Sequence, residues 1–263
     1  MDSHLKTGIK EIIEAYPAVG TILERYDIGC VPCTVGTCKL EDVVTIHTLE
    51  PDDEAALMAE IAQAIEAGPD AEPIAAPERP KPAAPKVITY SPPVQKLVGE
   101  HVLIKRLLAL VPKLVEDTWI AGAMDAELMR DVLGFIRGYA DSFHHMKEQD
   151  VLFDYTDKEA EIIRVIYEDH DRARGFVAAA AEAIESDDIA ALCKNLTSYR
   201  ELLTEHIDKE DQVLYPYIDR DLTLDQIAEI ARRFQQADDA ADADVPEKYE
   251  RFIALLESRF ESQ

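Results

Sequence analysis

The chain has 263 residues, 47% of them hydrophobic, which is enough to bury the core of one large or two modest domains. Its formal net charge of -26, from 53 acidic and 27 basic residues, argues against nucleic acid or an anionic membrane as a partner. No apolar run reaches transmembrane length and the start has no signal-peptide h-region, so we expect a cytoplasmic protein.

A small helical domain is predicted over residues 1–67. Apolar residues recur at helical spacing in its first third, with an interruption at Pro17. A second helix is predicted from about Glu54 to Ala67, opened by acidic residues and closed by Gly68.

Three cysteines lie between these helices with the spacing C-x2-C-x4-C: Cys30, Cys33 and Cys38. The lack of a secretory signal argues against a structural disulfide there. Three interpretations stay open: ordinary thiols in a turn, a reversible redox pair or exchange site, and a bound metal or iron-sulfur cluster. A cluster or metal needs a fourth ligand, which His47, a second chain or an exogenous molecule could supply.

Residues 68–92 are so rich in proline that we expect an extended linker. Residues 93–218 carry the signals of four helices with short connections, which predicts an all-α, up-down-up-down four-helix bundle. Apolar faces in residues 219–263 predict one or two C-terminal helices that cover the bundle or form a homodimer contact. The expected helix starts in the bundle are Ser91 before two prolines, Asp125, Thr156 or Asp157, and Asp187 or Asp188.

One motif occurs twice in the predicted bundle, as SFHHMKEQDVL and again as TEHIDKEDQVL. Each copy places a Glu four residues after a His: His144 with Glu148, and His206 with Glu210. Residues four apart share a helical face, and here that face is the apolar seam of the bundle. A carboxylate buried in the seam without a partner is strongly unfavourable, and a metal ion removes that cost.

The other two predicted helices each carry a single His in the seam. Four imidazoles and two carboxylates suit a pair of iron ions, because imidazole nitrogens hold each ion while carboxylates bridge or cap the pair. Zinc prefers four tetrahedral ligands, which usually include thiolate. We therefore expect two iron ions in an oxo- or carboxylate-bridged centre. The predicted metal ligands are His101, His144, Glu148, His170, His206 and Glu210.

At these residues the chain resembles the hemerythrin-like family, also called the HHE cation-binding domain. That family has a lone His on the first helix, His-x-x-x-Glu on the second, His on the third and His-x-x-x-Glu or Asp on the fourth. Oxygen-carrying hemerythrins of marine worms have His-x-x-x-His on the third helix, whereas Arg174 stands four residues after His170 here. This difference argues against simple reversible oxygen carriage. The pattern is more similar to bacterial di-iron proteins associated with repair of iron centres damaged by nitric oxide or oxidants.

The N-terminal run AYPAVGTILERYDIGCVPC resembles the small helical domain that precedes the bundle in those repair proteins, and also a standalone domain of unknown function. In the repair proteins a pair of neighbouring cysteines stands where Cys30 and Cys33 fall. We therefore keep these cysteines, with Cys38, as candidate redox or cluster thiols.

The resemblances imply a non-haem di-iron protein that binds and reduces NO or oxygen species, in nitrosative or oxidative stress defence or in iron-sulfur cluster repair. They imply NO or O2 as a small diatomic ligand, and iron-sulfur proteins or an electron donor as partners. Two alternatives use the same ligands: an oxygen or redox sensor without turnover, and iron storage or delivery.

His145 lies about 100° round an α-helix from His144, so we expect it at the edge of the seam. The alternative is a fifth ligand, or a hydrogen-bond partner of a ligand. Three acids directly precede a predicted ligand, and we expect them to be solvated or at the edge of the bundle, although metal-bound imidazoles need a carboxylate or carbonyl on the second nitrogen: Glu100, Asp169 and Glu205.

Overall fold

The computed structural model of the chain describes residues 4–26, 28, 38–41, 43, 49, 51–69, 89–241 and 244–261. Regular structure within these residues is helical, apart from one isolated antiparallel bridge between Gly8 and Lys39, and the predicted all-α class is confirmed. The chain divides into two compact units, residues 1–88 and 89–263. None of the helices in the described ranges has the length and apolar composition that crossing a bilayer requires.

The described helices of the first unit are α1 (Ile9–Ala15), α2 (Pro17–Arg25) and α3 (Pro51–Ala67). Pro17 separates the first two, because proline lacks the N–H that a continuous helix needs but fits the first turn of a new one. The apolar faces of the three helices share one core, which includes Ile12, Ile22 and Ile61.

Cys38 is half-buried against this core, and its carbonyl accepts a hydrogen bond from the backbone N–H of Ile9 at 2.7 Å. Cys30, Cys33 and His47 lie outside the described residues. The redox and cluster alternatives for these cysteines therefore stay predictions.

Four long helical segments form the bundle in the second unit. Each segment packs against the next, and the first packs against the fourth. The connections between them are short, as expected for antiparallel neighbours. The segments are α4 (Pro92–Ala121); α5 (Ala126–Phe135), a π-helix (Ile136–His145) and α6 (Met146–Asp150); α7 (Glu161–Glu185); and α8 (Ile189–Lys209), a π-helix (Glu210–Leu214) and α9 (Tyr215–Asp221).

Side-chain caps fix two of the predicted helix starts. Asp125 accepts a hydrogen bond from the backbone N–H of Leu128 at 3.2 Å, and Asp188 accepts one from that of Ala191 at 2.9 Å. Each bond satisfies a donor that the first turn of a helix leaves without a partner.

The third segment starts at Glu161, later than the predicted Thr156 or Asp157. A 3-10 turn, Leu152–Tyr155, ends the second segment. Asp157 then accepts a hydrogen bond from the backbone N–H of Glu159 at 2.9 Å. The Asp therefore closes a turn in the connection and does not cap the helix.

Two C-terminal helices, α10 (Leu224–Ala240) and α11 (Val245–Glu261), both pack against α4. Apolar residues of α11, such as Ile253, share the core of the bundle. Tyr249 of α11 lies so close to Gly138 that a Cβ there would collide with the Tyr hydroxyl. In the described residues the two C-terminal helices cover the bundle, which is one of the two roles expected for them.

Candidate metal centre

Seven polar side chains from the four segments converge in the middle of the bundle. Each is at most 4% exposed, in a seam otherwise lined by apolar residues. The set contains all six predicted ligands and one further His. It consists of His101, His144, His145, Glu148, His170, His206 and Glu210.

Three of these side chains form what we call the three-imidazole group: His145, His170 and His206. Their nitrogens lie within 4.8 Å of one another. The Nε2 atoms of His170 and His206 are 3.1 Å apart, about the separation of two nitrogens bound at right angles to one ion through bonds of about 2.1 Å. The group therefore fits one cation.

The other four side chains form the mixed group: His101, His144, Glu148 and Glu210. Their ligand atoms also lie within 4.8 Å of one another. The rings of His101 and His144 are tilted by 59°, with their centroids 4.5 Å apart. Two imidazoles and two carboxylates fit a second cation.

Glu148, a member of the mixed group, also lies close to the three-imidazole group. Its Oε2 atom is 3.8 Å from His144 Nε2 and 3.5 Å from His170 Nε2. Burial, followed by the charge of the nearby Glu210, raises the pKa of Glu148 well above its usual value. Without a cation, this carboxyl group therefore favours its protonated form.

Glu210 spans the groups in the same way. Its Oε2 atom is 3.3 Å from His101 Nε2, and its Oε1 atom is 3.1 Å from His206 Nε2. Burial opposes ionisation, but His206 and His101 hold the pKa of Glu210 well below its usual value. Burial likewise lowers the pKa of His206, yet Glu210 and then Asp169 raise it to about 9.

Four of the five imidazoles have a carboxylate behind them. In each case Nδ1 faces the acid, which leaves Nε2 pointing to the centre, the arrangement that orients imidazoles on metals. The Nδ1 atoms of His101 and His144 form hydrogen bonds with their acids, whereas those of His145 and His206 make longer contacts. The distances are 2.7 Å for His101–Asp211, 3.0 Å for His144–Glu100, 3.5 Å for His145–Asp141 and 3.6 Å for His206–Asp169.

Each of these acids contacts a basic side chain in turn, so its charge is balanced outside the centre. His170 is the imidazole without such an acid in the part of the chain that the structure describes, and its Nδ1 atom, like that of His206, has no hydrogen-bond partner there. The acid–base pairs are Asp211–Lys105 at 2.6 Å, Asp141–Arg174 at 2.8 Å, Asp169–Lys209 at 2.5 Å and Glu100–Lys147.

The expectation that Glu100 and Asp169 are solvated is wrong. They are 7% and 4% exposed, because each reaches the His of a neighbouring helix and not the one beside it in the sequence. Glu205 is exposed, as expected.

The expectation that His145 lies at the edge of the seam is also wrong. Its side chain is buried, and its ring stacks on that of His170 with the centroids 3.9 Å apart. His144 and His145 end a π-helix, which has more residues per turn than an α-helix and so turns each residue through less than about 100°. Neighbouring residues can then both face the seam.

Tyr215 is a site residue that the sequence analysis missed. It is fully buried, its hydroxyl donates to Glu148 Oε1 at 2.5 Å, and its ring stacks on His101 at a centroid distance of 5.6 Å. Burial and then the charge of Glu148 raise the pKa of Tyr215 well above its usual value, so it remains a donor. The only signal in the sequence is its position five residues after Glu210, one turn of a π-helix.

A cavity of about 350 Å³ reaches the three-imidazole group. His145 and His170 lie in its wall, together with the ion pair of Asp141 and Arg174, and no residue of the mixed group does. A larger depression of about 600 Å³ near Arg130 has no imidazole in its wall. Of these two cavities, the smaller is the one with candidate ligands in its wall.

Several buried atoms at the centre have no hydrogen-bond partner among the described residues: His144 Nε2, Glu148 Oε2, and Glu210 Oε1 and Oε2. Buried polar atoms in folded proteins normally have one. Two cations would satisfy all four atoms, so the side chains fit metal ions.

Comparisons of the chain with curated proteins and with solved structures gave no match. Residues 93–218 match the family model of the hemerythrin HHE cation binding domain, and the match does not extend to the N-terminal unit. Its range is that of the predicted bundle and includes all seven side chains of the centre. The bundle of this chain is therefore a hemerythrin HHE cation-binding domain.

Proposed function

We propose that the bundle holds two iron ions and uses them to bind a small diatomic molecule, NO or O2. The placement of Glu148 and Glu210 carries this proposal. Each carboxylate has imidazole nitrogens of both groups within 3.1 to 3.8 Å, as expected for carboxylates that bridge two cations.

The three-imidazole group would hold one iron and His101 with His144 the other, with the two Glu side chains shared between them. Bound iron supplies a redox-active centre with positions open to a ligand. The protein orients the imidazoles through the acids behind them and excludes water by burial. Tyr215 fixes Glu148 through its hydrogen bond.

Reduction of NO or oxygen species, with an electron donor or an iron-sulfur protein as partner, is the activity that we propose for this centre. The cavity at His145 and His170 supports it, because two candidate ligands lie in the wall of a space large enough for a small molecule. Support for a repair role comes from the resemblance of the N-terminal run to the small domain of the repair proteins.

A second candidate is reversible oxygen binding or sensing without turnover. His145 favours it, because the buried ring brings the number of imidazoles at the centre to five. Oxygen-carrying hemerythrins have their additional His on the third helix, whereas here His145 supplies a fifth imidazole from the second segment. Storage or delivery fits less well, since ligands that are at most 4% exposed hold an ion in a closed interior.

The experiment is iron per chain on anaerobically purified full-length protein, beside a variant with Cys30, Cys33 and Cys38 changed to Ser. Two irons in both proteins support the proposed centre in the bundle. Additional iron and sulfide in the unmodified protein alone would identify an N-terminal cluster. No iron in either after reconstitution contradicts the proposal. Catalytic consumption of NO or O2 then supports reduction, whereas stoichiometric, reversible uptake supports the sensor or carrier.

A further inference from the structure

Lys147 is a fully buried cation next to the candidate centre but not part of it. Its ammonium group contacts Glu100, lies 3.0 Å from Asp238 Oδ1, and is 3.5 Å from the centroid of the Phe143 ring. A buried ammonium group is strongly unfavourable unless carboxylates pair with it. The positions of Glu100 and Asp238 are therefore tied to that of Lys147.

Glu100 connects this cation to a predicted ligand. One of its oxygens, Oε1, contacts Lys147, while Oε2 accepts a hydrogen bond from Nδ1 of His144 at 3.0 Å. A continuous chain of contacts thus runs from Asp238 through Lys147 and Glu100 to His144, whose Nε2 atom faces the centre.

Asp238 lies on α10, outside the residues that match the family model. Its other oxygen, Oδ2, is 2.8 Å from the ammonium group of Lys96, which in turn is 3.6 Å from Glu100. Two ammonium groups and two carboxylates thus balance one another behind His144. Without Asp238, both ammonium groups would compete for Glu100, the acceptor that orients the imidazole.

We propose that α10 belongs functionally to the metal centre, with Asp238 as a positioning residue. Through Lys147 and Glu100, Asp238 holds the His144 ring with Nε2 towards the cation of the mixed group. This inference rests on the proposed metal centre. It adds that an element outside the HHE domain sets the affinity of one half of that centre.

The test is anaerobic titration of the full-length Asp238→Asn variant with Fe(II) alone. We expect one of the two binding sites to weaken about tenfold, the lower end of the range for partners that orient metal-bound imidazoles. Mössbauer spectra of the loaded variant should show a change in one iron signal and not in the other, which a purely structural role of Asp238 would not produce.

Asp239→Asn is the matched control. It removes the same charge one residue away, from an exposed side chain that accepts a hydrogen bond from Gln235 on the same helix. The control should bind Fe(II) like the wild type. Equal affinities of all three proteins, or equal losses in both variants, would overturn the inference.

A second substitution tests the charge balance. Lys96→Met in the Asp238→Asn background leaves Lys147 and Glu100 as a balanced pair and should recover part of the lost affinity. Where Asp238→Asn alone fails to fold, the double variant is compared with Lys96→Met, and equal affinities would overturn the inference. Wild-type protein that binds no Fe(II) would instead overturn the proposed centre, and this inference with it.

Discussion

The imidazole ring of His145 stacks on that of His170, with their planes 21° from parallel and their centroids 3.9 Å apart. The two rings come from different helical segments and form one wall of the cavity. Because both belong to the three-imidazole group, the cavity leads directly to candidate ligands. A small molecule in the cavity would therefore lie beside two of the candidate ligands.

Replacing His145 with Ala should lower the iron content from two towards one per chain. The variant removes one of three imidazoles from one cation and leaves the mixed group intact, so we expect at least tenfold weaker binding at one site. The measurement is iron per chain after anaerobic reconstitution and dialysis. Ser142→Ala, in the wall of the same cavity, is the control. Two irons bound with unchanged affinity would show that His145 only lines the cavity.

The fold and the paired motifs could be predicted because each depends on a regular repeat. The His–Glu pairs at a spacing of four lie on the apolar seam of their helices, and the seam points to the core in any bundle. The positions of His101 and His170 in the core could be predicted in the same way, because each lies on the apolar seam of its helix. All four imidazoles and both carboxylates accordingly lie in the interior.

The residues that could not be predicted depend on local departures from that repeat or on contacts between helices. His145 and Tyr215 face the centre through the π-helical turns, and single-sequence periodicity assumes an α-helix throughout. Glu100 and Asp169 bind histidines of adjacent helices, and that pairing follows from the packing of the segments and not from spacing along the chain.

Glu148→Gln should have opposite effects on the metal-free and the loaded protein. The raised pKa of Glu148 means that folding binds a proton which the unfolded chain releases near pH 7, and this costs stability. Removing the acid should therefore raise the Tm of the metal-free protein, by about 2–4 °C for each kcal/mol recovered in a domain of this size. The same change removes a carboxylate that we propose to bridge the two irons, so iron binding should weaken.

Thermal unfolding of metal-free wild type and Glu148→Gln, followed by Fe(II) titration of both, checks these two signs. Glu127→Gln alters an exposed acid on the same segment and should change neither quantity. A variant that lost stability and bound iron normally would contradict the bridging position of Glu148.

Tyr215→Phe should destabilise the metal-free protein by about 1–3 kcal/mol, the cost of leaving a buried acceptor without its donor. The acceptor is Glu148 Oε1, which receives the Tyr hydroxyl at 2.5 Å. Denaturant unfolding measures the loss. Tyr199→Phe is matched, since Tyr199 is equally buried but its hydroxyl makes no hydrogen bond within the described residues. Similar losses in both variants would mean that the hydrogen bond contributes little.

The metal-free protein should become less stable as the pH rises, and its affinity for metal should increase over the same range. The pKa of His206 is raised from 6.5 to about 9, because the charges of Glu210 and Asp169 outweigh the effect of burial. A group whose pKa is raised in the folded state contributes stability that is fully present below its unfolded pKa. That stability is lost as the pH passes through the folded pKa, so the window lies between pH 6.5 and about 9.

His206 must lose this proton before it can bind a cation. Metal binding therefore releases a proton, and higher pH favours metal binding. Tm values of the metal-free protein across the window, and proton release on adding metal in weak buffer, measure the two effects. Glu148 also makes stability fall with pH, so the comparison that isolates His206 is His206→Gln. This variant should show a shallower fall in Tm and release fewer protons. An identical pH profile in the variant would mean that His206 is already neutral in the metal-free protein at pH 7.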